Sequence, residues 1–99
     1  MRIFSKSTIK EYGEANPRVK EELNTWYAIV SLAKWSNFNE LKADMPATDY
    51  LGNDRYVFNV KGNHYRVIAM IFFPTQRLYI RAIYTHAEYT KNRSKLPNL

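Results

Sequence analysis

Hydrophobic and polar positions alternate in two different rhythms along this chain of 99 residues. Arg2 to Phe4 reads as a short strand, followed by a helix holding Ile9, Tyr12 and Ala15, with Ser5 and Ser7 as candidate caps. Asn16-Pro17 interrupts, and a proline suits the first position of a helix while an asparagine suits its cap. A second helix is expected from 17 to about 35, because Val19, Leu23, Trp26, Tyr27, Val30 and Ala33 recur at spacings of three and four. One apolar stripe of that kind packs on something flat, so a sheet is expected beneath it.

Residues 36–54 are rich in Asn, Asp, Pro and Gly with weak periodicity, which predicts a connecting loop with one helical turn at Asn39 to Asp44. From Arg55 the vocabulary changes to RYVFNV, HYRVIAMIFF and RLYIRAIY, three strands in two hairpins. Gly62-Asn63 is the expected tight turn of the first and Pro74 starts the second. The middle strand is apolar on both parities beyond Arg66 and should lie centrally. HAEYTKNR suggests a short C-terminal helix or turn, and SKLPNL a frayed tail. The expectation is a single α+β domain over residues 1–99: an antiparallel sheet, made of a short N-terminal strand and a three-stranded meander, with two N-terminal helices on one face.

Composition changes this picture in one respect. The formal charge of +6 splits unevenly, since residues 1–54 hold seven Lys/Arg against eight Asp/Glu while residues 55–99 hold eight against Glu88 alone. The basic half is the strand-rich half, and an anionic partner follows, nucleic acid ahead of a membrane surface. The absence of cysteine excludes disulfides and thiolate metal sites, and two histidines, His64 and His86, do not suggest a dedicated metal site. MRIFSKSTIK lacks the apolar core of a signal peptide and the longest apolar run, VIAMIFF at 67–73, is too short to span a bilayer. A cytoplasmic protein without a membrane partner is the expectation.

Strand alternation puts Tyr56, Phe58 and Val60 toward the helices and Val57, Asn59 and Lys61 away from them. Lys61, Arg66, Arg81, His86 and Tyr89 would then line a basic patch on the helix-free face. Such a patch suits RNA, because cations hold phosphates while aromatic rings and guanidinium planes stack on unpaired bases. Histidine can act as acid or base near neutrality, and Arg and Lys supply electrostatic stabilisation. Each residue also has a plainer reading: Arg66 as a solvated strand residue, His86 as a helix cap, Tyr89 as packing, Lys61 as protection of a sheet edge, Lys91 as part of a solvated tail.

The sequence VFNVKGNHYRVIAMIFF followed by YIRAIYTHAEY resembles the HigB toxins, ribosome-dependent messenger-RNA endonucleases of the RelE superfamily. The Pro17 to Lys20 helix start, Trp26 and Ala33-Lys34-Trp35 extend the resemblance through nearly the whole chain. It implies a RelE-like fold and a bacterial type II toxin that enters the ribosomal A site, touches 16S ribosomal RNA and cuts the translated message without a metal or other cofactor. It also implies a HigA-like helix-turn-helix antitoxin, through which alone the complex would reach its DNA operator. Carried onto this chain, Lys61 and Arg66 would clamp the scissile phosphate, His86 would be acid or base, and Tyr89 would orient or stack a base. Asn59, Asn63 and Arg81 would contact RNA, and Lys91 is a further RNA-binding candidate, although the resemblance transfers nothing to the last ten residues. Several relatives carry an acid directly after the tyrosine where this chain has Thr90, which removes any carboxylate role there. Two rivals stay open from sequence: a ParE-like gyrase poison on the same fold, and a non-catalytic RNA- or ribosome-binding module.

Overall fold

A computed structural model describes all residues 1–99. In chain order the elements are β1 (Arg2–Phe4), α1 (Lys6–Ala15), α2 (Pro17–Leu32), α3 (Phe38–Asp44), β2 (Thr48–Gly52), β3 (Arg55–Val60), β4 (Tyr65–Phe72), β5 (Arg77–Thr85), α4 (His86–Lys91) and a final 3-10 turn (Arg93–Asn98). The α+β class and the central meander follow the expectation. No helix is long and apolar enough to cross a membrane.

The sheet is larger and mixed rather than four-stranded and antiparallel, with order β1-β5-β4-β3-β2. β1 runs parallel to β5, and β2 pairs antiparallel to β3 within the stretch expected to be loop. β2 is an edge strand, TDYLG, with Asp49 and Tyr50 exposed, so it lacks the apolar run by which a central strand is recognised. Lys42 ties α3 to it by donating to the Thr48 carbonyl at 2.7 Å and pairing with Asp49 at 3.2 Å.

α1 and α2 cover one face. Val19, Leu23, Trp26 and Val30 of α2 are buried against Phe58, Val60, Val67, Ala69, Ile71, Leu78 and Ile80 of the sheet. The stripe read from spacing is therefore core, although α2 ends at Leu32, short of 35. The two helices meet closely at buried Gly13, where a Cβ would come within 3.2 Å of the Lys20 side chain. The caps differ from expectation: Ser5 adopts φ 70° and makes no side-chain cap. Ser7 lies inside α1, and Asn16 donates through Nδ2 back to the Tyr12 carbonyl, closing α1 rather than opening α2.

The opposite face is not bare. Leu96 is fully buried on Val57 and Ile68, with Ala82, Tyr84 and Tyr89 packed around them. The expected frayed tail is thus a strap across the sheet, pinned where Arg55 Nε and Nη2 donate to the Leu99 carbonyl and Asn53 Nδ2 donates to that of Pro97. Burying one leucine contributes roughly 1.5–3 kcal/mol, enough to order a short segment that also gains these hydrogen bonds.

Candidate functional site

Arg66 lies at the start of β4, where the meander leaves three strand ends side by side. Its register partners are Asn59 at the end of β3 and Tyr84 at the end of β5. All three share the strap-side face, two residues along each strand from the Val57, Ile68 and Ala82 row that the strap covers. α4 begins immediately after β5 and brings His86 and Tyr89 over the same row.

The geometry around Arg66 is specific. Nη1 donates to the carbonyls of Asn63 at 2.8 Å and Tyr65 at 3.3 Å, Nη2 donates to His86 Nδ1 at 3.1 Å, and the guanidinium stands 5.2 Å from the centre of the Tyr89 ring. Only 7% of Arg66 is exposed, and no carboxylate pairs with it; the one ion pair of the protein is Lys42 with Asp49. A buried charge is ordinarily paired, because removal from water is costly. Two carbonyls, an imidazole nitrogen and an aromatic face orient this cation without neutralising it. Arg66 Nε has no partner in the protein, yet the only buried side-chain polar atom lacking one is Trp26 Nε1, so Arg66 Nε meets solvent. The plainer reading of Arg66 as a solvated strand residue is excluded by its burial.

α4 is held by local chemistry. Thr85 and Glu88 form a capping box: Glu88 N–H donates to Thr85 Oγ1 at 3.2 Å and Thr85 N–H donates to Glu88 Oε1 at 2.8 Å. Thr85, not His86, is therefore the cap, and Glu88 does not orient His86. The His86 N–H donates to the His64 carbonyl at 3.0 Å, tying α4 to the β3–β4 turn. Thr90 Oγ1 donates to the His86 carbonyl at 3.1 Å.

The other sequence candidates separate. Asn63 contributes its carbonyl to Arg66, and half-buried Asn59 sits beside it in register. Lys61 does not contact Arg66; its Nζ donates to the Arg18 carbonyl at 2.6 Å, on the α2 side of the sheet end. The positive-φ residues of that turn are Lys61 (54°) and Gly62 (64°), so the Gly62-Asn63 pair expected for the turn is displaced by one. Arg81 is exposed at the β-bulge of β5, where the register with β4 shifts between Ile68 and Ala69, and no contact joins it to the cluster. Lys91 is exposed in the last turn of α4. Tyr84 was not singled out by the sequence, although its position two residues before His86 on an alternating strand carries the signal. No three of His, Cys, Asp and Glu gather into a possible metal-binding group.

Residues 19–92 match the HigB_toxin family, described as the RelE-like toxic component of a toxin-antitoxin system. The chain is 38% identical over 92 residues to the mRNA interferase toxin HigB of Escherichia coli strain K12, covering 90% of this chain and 88% of that protein. It has the same identity and coverage with the mRNA interferase HigB of Shigella flexneri. With the mRNA interferase HigB of Escherichia coli O6:H1 it is 33% identical over 93 residues, covering 92% and 90% of the two chains.

Proposed function

The chain belongs to the HigB toxin family, and from that premise we propose that it is a ribosome-dependent endoribonuclease that cuts translated messenger RNA in the A site. Its partners on this reading are the message, 16S ribosomal RNA and a HigA-like helix-turn-helix antitoxin that silences it and carries the complex to operator DNA. The observation that carries the proposal is Arg66: a buried, oriented and unneutralised guanidinium with an imidazole on one edge and a tyrosine ring on its face.

Attack of a 2′ oxygen on the adjacent phosphorus breaks the bond to the 5′ oxygen. It leaves a 2′,3′-cyclic phosphate and a 5′-hydroxyl. One proton must leave the 2′-OH and one must reach the 5′ oxygen. Nη1 of Arg66 is committed to two carbonyls, so Nε–H and the second Nη2 proton are the donors left for a phosphate. These stabilise the charge that grows on the phosphoryl oxygens, a contribution of about 3–4 kcal/mol for one well-placed donor. A phosphate that draws Nη2 away frees the Nδ1 lone pair of His86. That nitrogen takes the 2′-OH proton, and the imidazolium so formed delivers a proton to the departing 5′ oxygen. Tyr89, half-buried beside Arg66, orients or stacks a base.

Expression of the toxin in a growing culture, followed by primer extension on a translated message, tests the proposal. Cuts confined to translated messages, with arrested growth, are expected, and His86→Ala abolishes them. Intact messages would reject it, and gyrase-dependent DNA damage in their place would indicate a ParE-like poison.

A further inference from the structure

A second cationic cleft lies at the same end of the sheet, on the face opposite Arg66. Arg18 from the first turn of α2, Lys61 and His64 from the β3–β4 turn, Tyr65 from β4 and Thr85 from β5 line about 270 Å³ of open space. No acid lines it. Of the neighbouring acids, Glu88 closes the capping box on Thr85, while Glu21 and Glu22 line an adjoining groove with Trp26 that shares Lys61 with the cleft. The Lys61 ammonium uses one donor on the Arg18 carbonyl at 2.6 Å, which holds it beside the cleft and leaves two.

The cleft and the Arg66 cluster are built on the same backbone. Tyr65 and Arg66 are consecutive in β4, so their side chains leave opposite faces of the sheet. Thr85 and His86 are also consecutive, one lining the cleft and the other touching Arg66. The His86 N–H to His64 carbonyl bond joins the two sites directly. A chain with phosphates at regular spacing can therefore occupy both by wrapping the strand ends, whereas a single isolated anion would use only one.

We infer that this cleft is a second phosphate subsite, holding a phosphodiester of the RNA chain that flanks the scissile one. Its ligands are Arg18, Lys61 and His64, with the Tyr65 and Thr85 hydroxyls as additional donors. Lys61 thereby becomes a residue that positions the strand. The inference rests on the proposed action on RNA, and it assigns binding to residues that the cleavage chemistry does not need.

The test is salt-dependent binding of the purified protein to a fluorescent, fully 2′-O-methylated oligoribonucleotide, which cannot be cut through a 2′-OH. The double variant Arg18→Gln/His64→Gln is expected to bind more weakly, with a slope of log K against log [salt] shallower by about 0.7, the value for one phosphate on a single strand. Lys34→Gln, remote from the cleft, serves as the control for net charge and leaves the slope in place. An unchanged slope in the double variant, an equal change in the control, or absence of binding by the unaltered protein would each overturn the subsite. The message-cleavage assay reads the nuclease separately: binding with the expected slopes but no cleavage keeps the subsite and removes the enzyme.

Discussion

Arg66 Nη2 stands 3.1 Å from His86 Nδ1, and because a guanidinium can only donate, the imidazole accepts there and carries its proton on Nε2. In the free protein the arginine thus fixes a tautomer and occupies the lone pair that the proposed cleavage would use as its base. On the proposed mechanism a phosphate entering the site would compete for the arginine, so that binding itself would uncover the base. On that mechanism, such an arrangement would keep the exposed His86 from acting before RNA is seated.

The first expectation concerns that pair. Arg66→Lys retains the charge but loses the fork that reaches two carbonyls, an imidazole and a phosphate together. Cleavage on programmed ribosomes should fall by about 10²–10³-fold, as for loss of a transition-state donor. In nitrogen-15 NMR spectra the neutral His86 ring, confined to one tautomer in the unaltered protein, should become a mixture of both in Arg66→Ala. A single, unchanged tautomer in that variant would show that Arg66 does not set it.

The parts legible in the sequence are those whose signal is local and periodic. Val19, Leu23, Trp26 and Val30 announce a buried helix face by spacing, and the run from Val67 to Phe72 announces a central strand by being apolar on both parities. β2 was illegible because an edge strand is held by backbone pairing with β3 and needs few apolar side chains. Leu96 was illegible for a related reason: one leucine among polar residues has no period, and only the sheet face it meets gives it a place. Within the site, Arg66, His86 and Tyr89 came from chemistry and family motif together. The Arg18 to Lys61 contact joins residues 43 apart in sequence, and no local pattern encodes it.

The strap makes a stability prediction. Leu96→Ala removes a fully buried side chain from the small cluster with Val57 and Ile68 and should cost about 2–5 kcal/mol in urea unfolding. Cleavage should fall as well, because Tyr89 packs against the same cluster. A cost within 0.5 kcal/mol, about that of an ordinary surface substitution, would mean the strap is not bound in solution.

Tyr12 gives a pH dependence. Burial raises its phenol above the ordinary value of 10.0, with Glu88 and then Tyr65 adding to the shift; the Tyr65 ring lies edge-on at 6.3 Å. Tyr56 is raised as well, first by burial and then by Tyr50 and Asp54. For both, the unfolded chain ionises first. The stabilisation is complete below about pH 10 and is lost as pH climbs from there through the folded-state values. Tyr12→Phe should flatten part of this alkaline loss in denaturant titrations, and Tyr56→Phe another part. A slope above pH 10 unaffected by either change would refute the assignment.

Glu88 separates structure from chemistry at the site. Its carboxylate accepts from the Thr85 N–H, closing the capping box that starts α4 and so sets His86 and Tyr89 over Arg66. Glutamine fills the same place in a capping box, because only an accepting oxygen is required. Glu88→Gln should therefore cut messages at close to the unaltered rate, while its lost charge brings the Tyr12 phenol down toward its ordinary value. Thr85→Ala, by contrast, removes the oxygen that accepts from the Glu88 N–H, costs about 0.5–2 kcal/mol, and lowers cleavage by loosening α4. If Glu88→Gln instead abolished cleavage as completely as His86→Ala while Tyr12 still shifted as expected, the carboxylate would be carrying a proton. The burden placed on His86 would then have to be shared.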